Sequence, residues 1–391
     1  MKKLLVLVSS TLLFVPLLSA SASETLLWNS YSNIAVDKQW KITLNDEIDP
    51  ATVANNVYVL KGEEKIAMET KVQDNVLLAK PSKNLQPNTN YTLVVTDQVE
   101  NVEGESLEAN LNVPFTTKKA DVKETVPSYK TFVSEYGFTW HMASSDYTKF
   151  YLTGVDAEGN IVAGHDTRKG QNLFGISIGA ASSTVTAKYG QPLERITKNN
   201  RQYVQSYVNS YGDTTHGTYL IDGKYVTFFY DVHANNTVRA ITWVDERNEA
   251  KKTSFFATGS TQLRDSFEGL MLELMNQSRV AAGLKPLTYT PNYNYVGRAH
   301  SQDMIDKNYF AHENKEGLRA RERMTNAGIQ YQWFGENLAY GQYSAIYAHE
   351  ALMNSLGHRE NILRDRFTHA LVGVAFKDSG APYFTINFYQ K

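Results

Sequence analysis

The chain has 391 residues, no cysteine, and a formal net charge of −2 from 39 basic and 41 acidic side chains. Because domains usually have about 100–200 residues, this length predicts two or three domains, and we expect three. The balanced charge excludes the positive field of a nucleic-acid-binding protein, and the absence of cysteine excludes disulfides, so stability has to come from core burial.

The N-terminus has the pattern of a secretory signal peptide. Lys2 and Lys3 precede a mainly apolar run from Leu4 to Leu18, and the small residues Ala20-Ser21-Ala22 follow. The run is too short to span a bilayer comfortably, which makes a retained anchor the weaker alternative. We therefore expect residues 1–22 to be removed and the mature chain to be secreted, associated with the cell envelope and without a transmembrane anchor.

Residues 24–118 alternate apolar and polar residues in short runs such as Trp40-Lys41-Ile42-Thr43-Leu44, separated by turn residues. This pattern predicts an antiparallel β-sandwich. The segments 42–53 and 85–91 and the closing Phe115-Thr116-Thr117 resemble bacterial Ig-like domains of surface-layer and envelope proteins. The resemblance implies a spacer or adhesion module without chemistry of its own.

The charged stretch at 118–126 has the composition of a linker and precedes a region of mixed pattern at 127–250. Its strand-like runs lie at 149–152, 203–207 and 225–230, and one short helix is expected at 183–189. The same region contains four isolated histidines without metal-ligand spacing, for which we expect no metal site: His141, His165, His216 and His233.

The predicted short helix has recognisable start and stop residues. Gly175-Ile176-Ser177-Ile178-Gly179 introduces it, Ser182 or Ser183 is expected to cap it, and Gly190-Gln191-Pro192 ends it. This glycine-punctuated segment, placed before the C-terminal domain, resembles the CAP-associated domain of bacilli, so residues 127–250 are expected to form an α+β domain.

Apolar residues at helical spacing predict a helix at 263–282, and start and stop residues predict three more at 292–307, 318–327 and 344–355. Gly328 and Gly357 are expected to end the last two. The runs 370–376 and 383–389 alternate with period two around Asp378-Ser379-Gly380-Ala381-Pro382, which predicts a hairpin. Helices followed by a hairpin favour helices packed on a sheet.

Five segments follow one another in this region in a characteristic order: Leu274-Met275-Asn276-Gln277-Ser278-Arg279, Ala299-His300-Ser301-Gln302-Asp303-Met304, Tyr309-Phe310-Ala311-His312, Gly335-Glu336-Asn337-Leu338 and Ser355-Leu356-Gly357-His358-Arg359-Glu360-Asn361-Ile362-Leu363. Residues 262–391 resemble a bacterial CAP (SCP) domain, from the superfamily of cysteine-rich secretory, antigen 5 and pathogenesis-related proteins. The resemblance implies an α-β-α sandwich whose open cleft contains two His and two Glu residues.

Three of these four cleft residues match directly as His312, Glu336 and His358. Neutral imidazoles and carboxylates bind divalent metals such as zinc, for which His312 and His358 are the candidate ligands. The same groups also exchange protons near neutral pH, so both roles stay open.

The fourth cleft residue departs from the family pattern, which expects a glutamate near Asn354 or Ser355. Glu350 is the acid on that helix and is our fourth candidate, although at 100° per residue its side chain is rotated about 140° from Ser355. A zinc-protease reading of His349-Glu350 fails, because position 353 is Met and not His.

Three alternatives accompany these assignments. Gly335-Glu336-Asn337 and Gly357-His358 also suit purely structural turn and cap roles. Ser355, His358 and Glu336 have the composition of a hydrolase triad, but no nucleophile-elbow sequence surrounds Ser355. Three arginines and the pair Trp333-Phe334 suit either solvated surfaces or contacts to an anionic or glycan ligand; the arginines are Arg321, Arg323 and Arg359.

Two hypotheses of function follow. The first is a non-catalytic exported protein that binds an envelope or lipid-like ligand, from the cell wall or a membrane, in the CAP cleft, held at a distance by two spacer domains. The second is a metal-assisted hydrolase of peptide or wall polymer, with Glu336 as ligand or general base. The incomplete set of cleft residues favours the first.

Overall fold

The computed structural model describes residues 6–8, 26–27, 30–118, 126–198 and 200–391. The chain divides into two compact units, Met1–Val122 and Lys123–Lys391. Most of the predicted linker at 118–126 lies outside the described residues.

The first unit is built from strands around one apolar core, which includes Trp40, Leu77, Leu93 and Phe115. A short 3-10 helix lies at Pro50–Thr52. The described strands are Val6–Val8, Leu26–Leu27, Tyr31–Ile34, Trp40–Leu44, Val57–Lys61, Glu64–Gln73, Val76–Pro81, Asn90–Val95 and Leu111–Thr117.

The long strand Glu64–Gln73 joins two sheet segments, because its first half pairs with Val57–Lys61 and its second half with Val76–Pro81. Most pairs are antiparallel, as predicted. The exceptions are Leu26–Leu27 and Tyr31–Ile34, which both run parallel to Leu111–Thr117, so the prediction of a purely antiparallel arrangement is wrong at this edge.

Of the predicted signal peptide the structure describes Val6–Val8, which pairs antiparallel with Trp40–Leu44. The rest of residues 1–22 lies outside the described residues, and the signal peptide stays a prediction.

The second unit begins with a seven-stranded antiparallel sheet. Its strands, in sheet order, are Lys130–Val133, Thr139–Met142, Tyr151–Val155, Ile161–Asp166, Thr237–Asp245, Lys224–Asp231 and His216–Ile221. Two helices belong to this half: α1, Ser182–Tyr189, and α2, Glu246–Lys251. Two small two-stranded sheets are formed by Asn172–Leu173 with Ile176–Ser177 and by Arg195–Lys198 with Arg201–Val204. A 3-10 helix lies at Tyr147–Lys149.

Helix α1 confirms the predicted short helix and corrects its first residue. The residue that caps its N-terminus is Ala181, and no side chain accepts a hydrogen bond there, so a capping role for Ser182 or Ser183 is wrong. Both serines lie inside the first turn. Gly190 ends the helix with φ of 74°, a backbone conformation that glycine adopts without a steric penalty.

The C-terminal half of the second unit contains five helices and a four-stranded sheet. The helices are α3, Thr261–Ala281; α4, Asn294–Asp306; α5, Ala320–Asn326; α6, Ala345–Met353; and α7, Leu356–Ile362. The strands, in sheet order, are Thr288–Tyr289, His369–Phe376, Pro382–Gln390 and Trp333–Tyr340, and a 3-10 helix lies at Pro291–Tyr293.

The sheet lies between two layers of helices. Leu371 and Tyr389 pack with Val296 of α4 and Met324 of α5 on one face. The neighbouring side chains of the same strands, including Val372 and Phe388, pack in a cluster with α3 and α6 on the other face. This arrangement confirms the expected α-β-α sandwich.

Helix α4 lies very close to the sheet at two glycines. A Cβ atom added to Gly373 would lie 2.0 Å from the backbone nitrogen of Arg298, and one added to Gly297 would lie 2.8 Å from the nitrogen of Gly373. Any larger residue at either position would push the helix off the sheet.

The sequence pattern misplaced one helix end. Helix α6 ends at Met353, and Gly357 lies inside the following helix α7 instead of ending α6. The hairpin of His369–Phe376 and Pro382–Gln390 is confirmed, but both of its faces are buried, because the strands occupy the middle of a two-sided sheet.

The two halves of the second unit share one apolar core. Leu152 and Trp140 of the seven-stranded sheet lie in the same cluster as Leu270 of α3 and Ile346 of α6. This packing differs from the expectation that the central domain holds the C-terminal domain at a distance. Within the described residues no helix combines the length and the apolar character needed to cross a membrane.

Candidate functional site

His312 and Glu336 form the centre of the candidate site. His312 lies in the loop between α4 and α5, and its Nδ1 is 2.9 Å from Oε1 of Glu336, which lies on the strand Trp333–Tyr340. The His312 side chain is 57% exposed and that of Glu336 is 4% exposed. The structure therefore places a buried carboxylate behind an accessible imidazole.

Two further side chains hold the second oxygen of Glu336. Arg323 of α5 donates from Nη2 at 2.6 Å, and Asn387 donates from Nδ2 at 2.8 Å. Asn387 is the cross-strand neighbour of Glu336 in the sheet, so strand register places its amide there. The sequence did not predict either role, because no strand was expected at Trp333–Tyr340 and both partners lie far from Glu336 along the chain.

These contacts fix the charge of Glu336. Burial raises its pKa, but hydrogen bonds from His312, Arg323 and Asn387 together outweigh burial, and the pKa lies below the ordinary value for glutamate. Glu336 is therefore ionised at neutral pH. An ionised acceptor at Nδ1 fixes the proton of neutral His312 on that atom and leaves Nε2 facing outward as a base or ligand.

His358, in helix α7, lies close enough to His312 for its titration to be affected by that residue. Burial lowers the pKa of His358, and the nearby His312 lowers it further, because two positive charges would repel each other. Its Nδ1 is 2.8 Å from Oγ of Ser355, one turn earlier in the chain. His312 thus lowers the pKa of His358, although each histidine has its own hydrogen-bond partner.

Two asparagines connect the segments that carry Glu336 and His358. Asn337 donates to the backbone oxygen of His358 at 2.9 Å, and Asn361 donates to Oδ1 of Asn337 at 2.9 Å and to the backbone oxygen of Glu336 at 3.2 Å. Gly335 is required here because an added Cβ would lie 2.9 Å from Phe367. The glycine and asparagines of these motifs therefore have structural roles, while Glu336 accepts only side-chain donors among the described contacts.

Glu350 is placed apart from His312 and Glu336. It is 2% exposed, its Oε1 is 3.2 Å from Nδ1 of His349, and its Oε2 is 3.4 Å from Nε of Arg239, in the other half of the unit. Burial raises its pKa, but Arg239 and His349 lower it more strongly, to about 2. Glu350 therefore contributes an ion pair between the two halves.

Two of the three arginines singled out in the sequence are engaged inside the protein. Arg323 holds Glu336, and Arg359 of α7 contacts Asp231 with a shortest distance of 3.0 Å. Ser355 contacts His358, but Glu336 contacts His312 instead, so these three side chains do not form a triad. Trp333 is 51% exposed and lies under Arg366.

The side chains that could bind a metal ion at this site are the imidazoles of His312 and His358. Because both Nδ1 atoms have hydrogen-bond partners, the Nε2 atoms of His312 and His358 are the atoms left for a metal. No group of three or more His, Asp or Glu side chains with metal-site geometry occurs among the described residues. Catalytic zinc sites use three protein ligands, a requirement that these two side chains do not meet.

His358 and Glu350 also line a cavity of about 780 Å³. One wall comes from the segment 204–216 of the seven-stranded half, and the other from the edge strand, α6 and the start of α7. Cavities of this size are typical of small-molecule sites.

Sequence comparisons identify three domains in this chain. The models of the bacterial Ig-like domain, the CAP-associated N-terminal domain and the cysteine-rich secretory protein (CAP) family match residues 23–117, 116–255 and 272–390, respectively. The chain thus contains these three domains in this order.

A curated relative matches about one third of the chain. The uncharacterized protein YkwD of Bacillus subtilis strain 168 is 39% identical over 132 residues, which is 34% of this chain and 50% of that protein. The chain therefore covers half of the length of this relative.

Two solved structures share the fold. An extracellular protein containing an SCP domain from Bacillus anthracis strain Ames has a TM-score of 0.57 at 21% identity, and a cysteine-rich secretory protein from Staphylococcus aureus Mu50 has a TM-score of 0.54 at 16% identity. Each match covers 68% of this chain and 89% of the other chain.

Proposed function

We propose that this chain, in which a CAP domain follows bacterial Ig-like and CAP-associated domains, is exported and binds a cell-envelope ligand at the cleft of His312, Glu336 and His358. The signal-peptide pattern of residues 1–22 and the extracellular SCP-domain protein of similar fold support export. The domain order also supports an envelope location, since the Ig-like unit has the character of a spacer.

One observation carries the binding proposal: the ionised Glu336 is held by His312, Arg323 and Asn387 while His312 stays exposed. Arg323 and Asn387 hold one oxygen of Glu336, and its other oxygen binds Nδ1 of His312, which leaves Nε2 of His312 for a ligand. A carboxylate held in this way positions a neighbour and is poorly suited to taking up a proton itself.

Purified cell walls test this proposal in a sedimentation assay. The mature chain is expected to sediment with wall material, and Glu336→Gln is expected to weaken binding about tenfold, because an uncharged amide no longer fixes the His312 proton. Glu360→Gln makes the same chemical change on an exposed residue of α7 and is expected to bind like the unchanged chain. Binding that is absent, or equal for both variants, contradicts the proposal.

The second candidate function is a metal-assisted hydrolase, for which His312 and His358 would supply two Nε2 ligands and a third ligand would have to come from elsewhere. Calorimetric titration with zinc, repeated on His312→Ala and His358→Ala, tests the first requirement of this function. Heat of binding that disappears in both variants supports a metal at this site. A flat trace for the unchanged chain removes the candidate.

A further inference from the structure

The cavity beside the cleft collects exposed apolar side chains from both halves of the second unit. Thirteen large apolar side chains are exposed among the described residues, and six of them line this cavity. They are Val204, Val208, Tyr211, Phe255, Phe310 and Tyr340. Such a concentration of apolar groups around one concave site indicates a ligand surface and not chance exposure.

The polar part of the lining carries hydroxyl and amide groups instead of charges. Among the described lining residues there is no Lys, Arg or Asp, and the one carboxylate, Glu350, is paired with Arg239. Burial lowers the pKa of His216, another lining residue, to about 4, so that it is neutral at physiological pH. The cavity therefore offers no cation to a phosphate or a carboxylate of a ligand.

The wall that carries Tyr211 is a hydrogen-bonded loop with defined geometry. Oδ1 of Asn209 accepts from the backbone nitrogens of Tyr211 and Asp213, both at 2.9 Å. Below the loop, the hydroxyl of Tyr207 donates to the backbone oxygen of Leu193 at 2.6 Å. Tyr211, which is 80% exposed, is thus displayed on a fixed support.

The two walls are tied together by direct bonds, so the cavity belongs to the folded unit. Thr227 and Tyr347 join their hydroxyls at 2.9 Å, and Asn354 donates to the backbone oxygen of Tyr230 at 2.9 Å. Arg359 and Asp231 add an ion pair at one end. The CAP-associated domain therefore supplies half of a site that the CAP domain alone lacks.

We propose that this cavity binds an uncharged oligosaccharide, with the sugar rings stacked on aromatic side chains such as Tyr211 and the sugar hydroxyls bonded to neutral polar groups such as Gln342, whose buried Oε1 has no hydrogen-bond partner among the described residues. The inference rests on the proposed function and names a ligand class for the cavity that shares His358 with the cleft. Aromatic faces pack well against the apolar faces of pyranose rings, and amides and hydroxyls both donate and accept hydrogen bonds. An anionic lipid head group lacks a partner here.

Chitotetraose, an uncharged oligosaccharide, is the probe for a direct test by calorimetry on the mature chain. We expect saturable binding, about tenfold weaker for Tyr211→Ala because one stacking contact is lost, and nearly unchanged for Tyr211→Phe. Tyr295→Ala is the matched control: Tyr295 is 54% exposed, belongs to the CAP domain and does not line the cavity, so affinity is expected to stay constant.

Three results overturn the inference. They are the absence of chitotetraose binding, equal affinity of the Tyr211→Ala and Tyr295→Ala variants, and Tyr211-dependent binding to anionic lipid vesicles without binding of the sugar. If wall binding depends on Glu336 but the sugar does not bind, this inference is wrong and the proposed function is still supported. Sugar binding that depends on Tyr211 while Glu336→Gln leaves wall binding intact supports the inference and contradicts the proposed function.

Discussion

At the scale of single residues, Glu336 depends on Arg323. The two side chains are 4% and 9% exposed and form a direct ion pair at 2.6 Å. A buried carboxylate that loses its cation keeps the cost of its own desolvation, so the pair is sensitive to removal of one partner. Arg323 is thus a positioning residue that keeps Glu336 ionised beside His312.

The first prediction concerns Arg323→Ala. We expect the free energy of unfolding to fall by about 3 kcal/mol, because Glu336 is left buried without its cation. Denaturant-induced unfolding measures this change. Arg321→Ala, on the exposed side of the same helix, is the control and is expected to change stability by less than about 0.5 kcal/mol. Equal effects of the two substitutions would contradict the assigned role of Arg323.

The second prediction concerns acid stability through Glu350. Its pKa is lowered to about 2 from an ordinary value of 4.5 by Arg239 and His349, in spite of burial. A lowered pKa stabilises the folded state above pH 4.5, and this contribution, about 3 kcal/mol, is lost as the pH falls from 4.5 toward 2.

Unfolding measured between pH 7 and pH 2 tests the role of Glu350. The unchanged chain is expected to lose this stability over the acid range, and Glu350→Gln to show a flatter dependence because it has no proton to bind. Glu360→Gln, at an exposed position, should follow the unchanged chain. A Glu350→Gln curve parallel to that of the unchanged chain would be inconsistent with the low pKa.

At the scale of secondary-structure elements, the turn between α6 and α7 joins the two halves of the second unit. Asn354, at the end of α6, donates to the backbone oxygen of Tyr230 and accepts from the backbone nitrogen of Val232 at 3.1 Å. This residue stands near the position where the family pattern expects a glutamate. In this chain the amide of Asn354 bonds to the CAP-associated domain, which gives a physical reason why asparagine, and not glutamate, stands at this position.

The third prediction is that Asn354→Ala lowers the free energy of unfolding by about 2 kcal/mol, because two backbone groups lose their partner. Amide hydrogen exchange at residues 230–232 should speed up at the same time, since the anchoring contact is gone. Asn326→Ala, on an exposed position at the end of α5, provides the comparison and should affect neither quantity. Slow exchange at 230–232 in Asn354→Ala would show that the turn does not hold the two halves together.

At the scale of the whole molecule, the Lys123–Lys391 unit has a buried charge cluster between its halves. Lys198 and Glu249 lie 2.5 Å apart and are almost fully buried, and Lys252 lies 3.7 Å from the same carboxylate. Glu135 completes the cluster, and burial raises its pKa to about 7 against the opposing effect of Lys252. Glu135 therefore changes its charge near neutral pH.

The fourth prediction follows from the raised pKa of Glu135. The folded state holds this proton more tightly than the unfolded chain, so its contribution to stability is complete below pH 4.5 and is lost as the pH rises toward 7. The change amounts to about 3 kcal/mol. We expect Glu135→Gln to remove this part of the pH dependence and to be the more stable form at pH 8.

Unfolding curves at pH 5 and pH 8 measure the difference between Glu135→Gln and the unchanged chain. Glu158→Gln, in an exposed turn of the same domain, serves as the control and should keep the pH dependence of the unchanged chain. A difference between the two pH values that is equal in all three proteins would rule out Glu135 as its source.

The amino-acid sequence by itself determined the three domains and most helices of the C-terminal domain, and it nominated His312, Glu336 and His358 as candidate site residues. These features depend on local patterns: periodic apolar residues, glycines at turns, and short motifs whose order is readable along the chain. It did not determine that Gly357 lies inside helix α7, because a glycine ends or continues a helix according to the packing around it.

Only the tertiary structure decided the partners of the site. Arg323 and Asn387 reach Glu336 across 13 and 51 residues of sequence, and Asp231 meets Arg359 across 128. Such contacts follow from strand register and from the shared core of two domains, and neither leaves a periodic signal in the chain. For the same reason, the cavity walled by both domains became visible only when their surfaces were brought together.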